Sequence, residues 1–305
     1  MVRPEDARVV GLGQACVDFL GRVPRFPKED DKVELLDLHR QCGGPASTAL
    51  VTLSRLGVAC SFLGAISDDP FGADIVQGLK DEGVDASFLK VLPGYSSQFA
   101  FIAISRNSGK RTVFWHRGSV PHLTKDQIDL SPFSRAEILH LDGLMIEASL
   151  EAVKQAKARG LTVVLDAGTM RERSLELASV VDVLIASARF ADPLVGSGAK
   201  PEKALDALCP LGPKAVVMTL GRKGSLGWDG NKLARQDAFP VEAVDTTGAG
   251  DVYHGGYVYG LLQGWPMKEC MRFASAVAAL KCKEVGARKG IPSLKEVKAF
   301  MDSFS

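Results

Sequence analysis

Short apolar runs alternate along this chain with longer stretches whose apolar positions recur every three or four residues. The runs are ARVVGLG (7–13), SFLGAI (61–66), EILHLD (137–142), LTVVLDA (161–167), VDVLIAS (181–187) and KAVVMTL (214–220). Their length and near-continuous hydrophobicity predict strands buried on both faces. Between them, PASTALVTLSRLG places Ala46, Ala49, Leu50, Leu53 and Leu56 on one helical face, with Pro45 suited to the first turn and Gly57 to the stop. LEAVKQAKARG ends at Gly160 in the same style, and CMRFASAVAALKC carries Cys270, Phe273, Ala274, Val277 and Leu280 along one stripe. Repeated alternation of this kind predicts an α/β fold, a doubly wound and mainly parallel sheet sandwiched by helices in a single domain over 1–305.

Two segments, about 14–40 and 95–118, lack helical period. Within the second, SQFAFIAIS and GKRTVFWH read as strands joined by the turn RNSGK. The simplest arrangement is a small β-sheet built from the two insertions and covering one edge of the main sheet as a lid. An open strand edge on such a lid predicts pairing with a second subunit, a homodimer.

Composition narrows the function. With 37 Lys and Arg against 36 Asp and Glu, the net charge of +1 predicts no broad nucleic-acid or membrane-binding face. The six cysteines form no C-x-x-C pair and fall in apolar segments, which predicts buried thiols in a reduced cytoplasmic protein. The polar start MVRPEDARVV lacks a signal-peptide core, and no apolar run approaches the roughly 20 residues of a membrane span. GLGQAC (11–16) begins like a dinucleotide fingerprint but lacks its third glycine, and no Walker A loop, nucleophile elbow or metal-spaced histidine set is present. His140 falls in a strand run and reads as a satisfied core residue.

The chemistry concentrates in VDTTGAGDVYHGG (244–256). One reading makes Asp251 the N-cap of a helix. The other gathers the bare backbone of Gly248, Ala249 and Gly250 into an anion hole at a helix N-terminus, with Asp251 taking a proton from an attacking hydroxyl. A carboxylate beside an anion site is otherwise repulsive, so this pairing suits phosphoryl transfer to an alcohol. The two readings are compatible.

DTTGAGD before a helix resembles the C-terminal signature of the ribokinase/PfkB family of carbohydrate kinases, and QCGGPASTAL (41–50) resembles its N-terminal signature. The similarity covers nearly the whole chain. Stretches such as NSGKRTVFWH look most like ketohexokinases, and RFASAVAALKCKEVGARKGIP most like bacterial sulfofructose kinases. The resemblance implies a kinase using ATP and Mg2+, with Asp251 as catalytic base and Gly248, Ala249 and Gly250 as its anion hole. Asp18 would grip sugar hydroxyls, since a carboxylate accepts from two neighbours; its plain alternative is a turn residue. Gly43 and Gly44 would admit the sugar to the backbone, and Thr48 stands where the family often has Asn.

In TLGRKGSLGW, Thr219, Gly221, Lys223 and Gly224 would line the ATP site, or form an ordinary hairpin. Ala279 and Cys282 would face the adenine, or pack in the core. Asp245, Thr247, Arg288 and Gly290 match positions that frame a monovalent cation, such as K+, in some members. The usual N-x-x-E magnesium motif is absent, Ser187 and Phe190 standing at its ends. Arg111, Trp115, His116 and Arg117, with Lys28 and Lys32, would make an anionic sugar plausible where they face the cleft. The expected substrate is a ketose, sugar acid or sulfosugar. The rivals are a nucleoside or vitamin kinase and a non-catalytic sugar-binding regulator of the same fold.

Overall fold

The buried apolar runs become the centre of one large sheet. The computed structural model describes residues 2–304. In chain order its strands are β1 (Val9–Leu12), β2 (Cys16–Val23), β3 (Asp37–Gly43), β4 (Cys60–Ser67), β5 (Leu89–Leu92), β6 (Phe99–Ser105), β7 (Arg111–His116), β8 (Ile138–Leu141), β9 (Thr162–Ala167), β10 (Val183–Ser187), β11 (Ala215–Thr219), β12 (Ser225–Trp228) and β13 (Leu233–Gln236). The helices are α1 (Pro45–Arg55), α2 (Pro70–Asp81), α3 (Ile146–Ala158), α4 (Ser174–Ala178), α5 (Ala188–Val195), α6 (Pro201–Leu208), α7 (Ala249–Leu262), α8 (Met267–Lys281) and α9 (Leu294–Asp302). Among the described residues no helix is long and apolar enough to cross a membrane.

The main sheet has nine strands in the order β13-β12-β11-β10-β9-β8-β1-β4-β5. It is parallel from β5 to β11, and β12 and β13 close one edge antiparallel. Successive residues of a strand face opposite sides. Val9 therefore joins the core under α1, α2, α7, α8 and α9, while Val10 joins the core under α3 to α6. Strand β1 has β4 on one side and β8 on the other, so the order reverses there. The carboxyl ends of β1 and β8 open a crevice at that switch point, the usual ligand position in such sheets.

The second sheet has the order β3-β2-β6-β7 and comes from the two segments without helical period. It is mixed: β2 pairs antiparallel with β3 and parallel with β6, and β6 pairs antiparallel with β7. Its register puts Asp18 opposite Ala100, and Ala100 opposite Trp115, on one face. That face also carries Leu20, Ile102 and Ile104, which pack with Val285. Phe19, Phe99 and His116 lie on the other face, where Phe99 stacks on His116 at 5.3 Å.

Helix α7 has nine consecutive buried residues, Val252 to Gly260, so it is a core helix with no solvent face. Its glycines are what let it in. A Cβ on Gly255 would stand 2.7 Å from the Ala49 carbonyl of α1, one on Gly256 2.9 Å from Ala274 Cα, and one on Gly260 2.8 Å from Cys270 Sγ in α8. Sequence reading takes Gly255 and Gly256 as weak points of the helix; the structure uses them as its contact surfaces. Alanine is the better helix former by about 1 kcal/mol, yet overpacking costs about 1–3 kcal/mol. Gly255→Ala is therefore expected to lower the urea midpoint of unfolding, and an unchanged or raised midpoint would contradict this packing.

Candidate active site

At the switch-point crevice glycines sit close against two carboxylates. A Cβ on Gly13 would lie 2.2 Å from an Asp142 carboxylate oxygen, and one on Gly43 2.0 Å from that of Asp18. Gly44 caps α1 with φ of 101°, a left-handed value that glycine adopts freely. The glycines of GLGQAC thus serve packing: Gly13 against Asp142, Gly11 against Leu50. Asp142, at the end of β8, accepts from the amides of Gln14 at 2.6 Å and Leu144 at 3.1 Å. Burial nonetheless pushes its carboxyl up to about 7.

Asp18 is buried, 5% exposed, on the inner face of β2. It accepts from the Cys16 thiol at 3.2 Å, and burial raises its carboxyl despite that bond and the nearby Arg288 charge. Thr48 is fully buried on α1, and its hydroxyl has no partner among the described residues.

The GAGD stretch turns onto α7. The N-cap is Gly248, with φ of 72°, and Asp251 is the third helical residue. Asp251 as helix cap is thereby corrected: its carboxylate is left for other work. Ala249, expected in the anion hole, donates its amide to Thr246 O at 3.2 Å. Among the described residues the amides of Gly248, Gly250 and Asp251 find no acceptor, and the α-carbon of Gly250 faces open space. Burial, then the charge of Asp166, raises the Asp251 carboxyl to about 6. Arg111 crosses from β7 to donate to the Thr246 hydroxyl at 3.1 Å. It is among the charges acting on Asp251.

The remaining candidates fall in two groups. Thr219 ends β11, and Gly221, Lys223 and Gly224 form the turn into β12, where a Cβ on Gly224 would stand 1.9 Å from Gln236 O. Ala279 and Cys282 lie nearly buried at the end of α8, and the Cys282 carbonyl accepts from the amide of Val244 at 2.8 Å. Asp245 and Thr247 are bonded to each other in the loop before α7. Arg288 points elsewhere: its guanidinium reaches Ser47 Oγ at 3.0 Å and Gly43 O at 3.4 Å. Its carbonyl is taken by Arg55 and by the amide of Ile291, each at 3.0 Å. Gly290 packs against the Lys281 carbonyl. The cation frame expected from Asp245, Thr247, Arg288 and Gly290 is thus not assembled at Arg288. Ser187 caps α5 by accepting from the Phe190 amide.

On β7 the side chains sort by alternation. Trp115 shares the inner face with Arg111, donates to Gln98 Oε1 at 3.1 Å and lies 5.8 Å below the Arg171 guanidinium. His116 turns to the outer face, and Lys28 and Lys32 are exposed. Arg171 also lines a cavity of about 780 Å³ with His122, Met145 and Glu147, and neither Asp18 nor Asp251 lines it.

The pfkB family carbohydrate kinase model matches residues 6–294. The chain belongs to the pfkB family of carbohydrate kinases. As a pfkB kinase it is an ATP-dependent phosphotransferase acting on a carbohydrate or nucleoside. It is 29% identical to a ribokinase of Haemophilus influenzae over 95% of this chain and 97% of that protein. It is 28% identical to a nucleoside kinase of Methanothermobacter thermautotrophicus, over 97% and 96%. Its fold matches Arabidopsis thaliana ribokinase complexed with ribose and ATP, at 26% identity, 99% coverage of each chain and a TM-score of 0.83.

Motif reading also passes over buried polar residues of this pfkB kinase, Asp142, Asp166 and His254. Asp142 carries no motif, and only its position at the end of an apolar strand run signals it. Asp166 pairs with His254 Nε2 at 3.2 Å, one helical turn beyond Asp251. His140, read as a satisfied core residue, is fully buried with neither ring nitrogen bonded among the described residues, and burial lowers it to about 4, so it stays neutral. The cysteines divide: Cys60, Cys270 and Cys282 are buried, while Cys16, Cys42 and Cys209 are half-buried. A base must be ionised to accept a proton. The kcat/KM profile of this kinase should therefore fall on the acid side with a midpoint near the about 6 of Asp251. A limb near the ordinary aspartate value would show that the carboxylate is not held as described.

Proposed function

We propose that this kinase transfers the γ-phosphoryl group of ATP to a hydroxyl of a sugar held between the inner face of the small sheet and the switch-point crevice. One observation carries the reading: Asp251 stands at the third position of α7, not at its cap, beside the unpaired amides of Gly248, Gly250 and Asp251. The amides receive the transferring phosphoryl group while the carboxylate takes the hydroxyl proton. Asp18 accepts from sugar hydroxyls on the opposite wall, and Gly43 leaves room for them. The Asp18 charge is felt at Asp251, as expected of groups facing one cleft.

The small sheet acts as the lid. Arg111 reaches from it to the loop before α7, and Trp115 reaches from it to Arg171. Closure excludes water and limits wasteful hydrolysis. ATP lies along the Gly221–Gly224 turn with its base toward Ala279 and Cys282. Magnesium travels with the phosphates, whose charge it neutralises, because Ser187 is committed to capping α5. Potassium has no part in this reading, since the frame expected for it is engaged otherwise. Ketoses, sugar acids and sulfosugars all present the needed hydroxyl. Arg111, which reaches from the small sheet to the loop before Asp251, favours the anionic ones. A nucleoside is the second reading, favoured by the likeness to a nucleoside kinase and by the flat Trp115 face.

Asp251→Asn is expected to reduce ADP formation by roughly 10²–10⁴-fold, the usual scale of general-base catalysis, with sugar binding retained by calorimetry. A coupled ATP-consumption panel of ketoses, sugar acids, sulfosugars and nucleosides identifies the acceptor. Turnover by the Asn variant at the wild-type rate would sink the base assignment, and nucleoside-only turnover would replace the sugar reading.

The outer face of the small sheet exposes Leu38 (57%) and Phe114 (60%). Self-association through this face is the expected use of so much apolar surface. Light scattering should then give a dimer mass that Phe114→Asp converts to a monomer mass, and a monomeric wild type would refute it.

A further inference from the structure

Lys281 ends α8 and is fully buried, although lysine is almost never so unless paired. Its ammonium donates to the backbone carbonyl of Asp245 at 2.8 Å. Asp245 is fully buried as well. Its Oδ1 accepts from the Thr247 amide at 2.8 Å and hydroxyl at 2.7 Å, and its Oδ2 accepts from the Gly286 amide at 2.7 Å. A carboxyl group and a carbonyl thus converge at the root of the loop that leads to Gly248–Asp251. The carbonyl end of α8 adds its own negative pole. Such a place calls for one positive charge.

The geometry points to the Lys281 ammonium as that charge: a tethered cation that takes the place of a bound monovalent metal ion beneath the phosphoryl-binding loop, making this kinase independent of potassium. The frame that a free ion would need is closed from both sides. The Arg288 carbonyl is bonded to Arg55 and to the Ile291 amide, and Gly290 is pressed onto the Lys281 carbonyl. Burial pulls the lysine below its ordinary pKa, and the field of Asp245 is the strongest influence opposing that. Arg111 acts against the charge, and Asp251 for it. A tethered ammonium needs no ion capture from solution and is not displaced by sodium or lithium. Lys281 is a positioning residue: it touches the loop, and the loop holds the reacting groups.

The inference rests on reading residues 248–251 as the phosphoryl site, so its test includes a measurement that needs no turnover. Wild type, Lys281→Ala and Lys281→Gln are compared in buffers whose added chloride salt is potassium, rubidium, ammonium, sodium or lithium. Wild-type ADP formation should be the same in every salt. The variants should lose roughly tenfold or more, the scale of one preorganised charge, and regain activity in potassium, rubidium or ammonium but not in lithium. Without substrate, the melting temperature of the variants should rise with potassium concentration by mass action, while that of wild type should not. Potassium activation of the wild type would overturn the inference. So would variants that stay slow and show no melting response to any cation, which would make Lys281 a structural residue only. Variants too unstable to purify leave the wild-type salt series decisive. Absence of kinase activity on every sugar would fail the phosphoryl reading while the melting series still tests the cation.

Discussion

The site depends on how closely α7 approaches its neighbours. Gly255 lies on the carbonyl of Ala49 in α1, and Gly256 and Gly260 lie on α8. Helix α1 starts at Gly44, beside Asp18, while α7 starts at Gly248 and carries Asp251 in its first turn. One close helix contact therefore fixes the distance between the wall that carries Asp18 and the turn that carries Asp251. A glycine costs about 1 kcal/mol in a helix interior. Burial of Val252, Tyr253, Tyr257 and Val258 offsets that, since each large apolar side chain contributes about 1.5–3 kcal/mol.

The strands of the parallel sheet were readable because burial on both faces leaves an unbroken apolar run. The two signature loops were readable because clustered glycines have few other uses. What escaped was set by pairing at long range. Trp115 and His116 are neighbours in sequence, and only the register of β7 on β6 sends one to the cleft and the other away. Gly255 and Gly256 weaken a helix viewed alone and strengthen it once α1 and α8 are in place. Asp142 and His254 gain meaning from Gln14 and Asp166, partners far off in the chain. Lys281 follows the apolar stripe in CMRFASAVAALKC, and nothing local in the sequence shows that it points inward.

The carboxylates work against the fold. Burial raises Asp18, Asp142 and Asp251 alike. A carboxyl raised in the folded state stabilises the fold fully below its unfolded value, and that contribution is lost as pH rises through the folded value. For Asp251 the loss runs from about 3.8 to about 6, so at neutral pH the ionised site holds the protein below its best stability. On the proposed reading the same shift suits catalysis, because a general base works best when its pKa approaches the operating pH.

The cations around this cleft are arranged in a complementary way. Arg288 is bonded to the Ser47 hydroxyl and the Gly43 carbonyl, Lys281 to the Asp245 carbonyl and Arg111 to the Thr246 hydroxyl. Among the described residues none of the three is locked in an ion pair with a carboxylate. Elsewhere on the molecule such pairs are common, as with Arg55 and Glu82 or Arg22 and Asp37. Neutral partners fix the position of a cation without cancelling its field. Lys281 and Arg111 thus hold two positioned charges at a loop in which the amides of Gly248, Gly250 and Asp251 are unpaired, so that on the proposed reading a transferring phosphoryl group meets dipoles and charges already in place. That preorganisation, more than the single base, is what can separate a kinase site from a sugar-binding cleft with an aspartate in it.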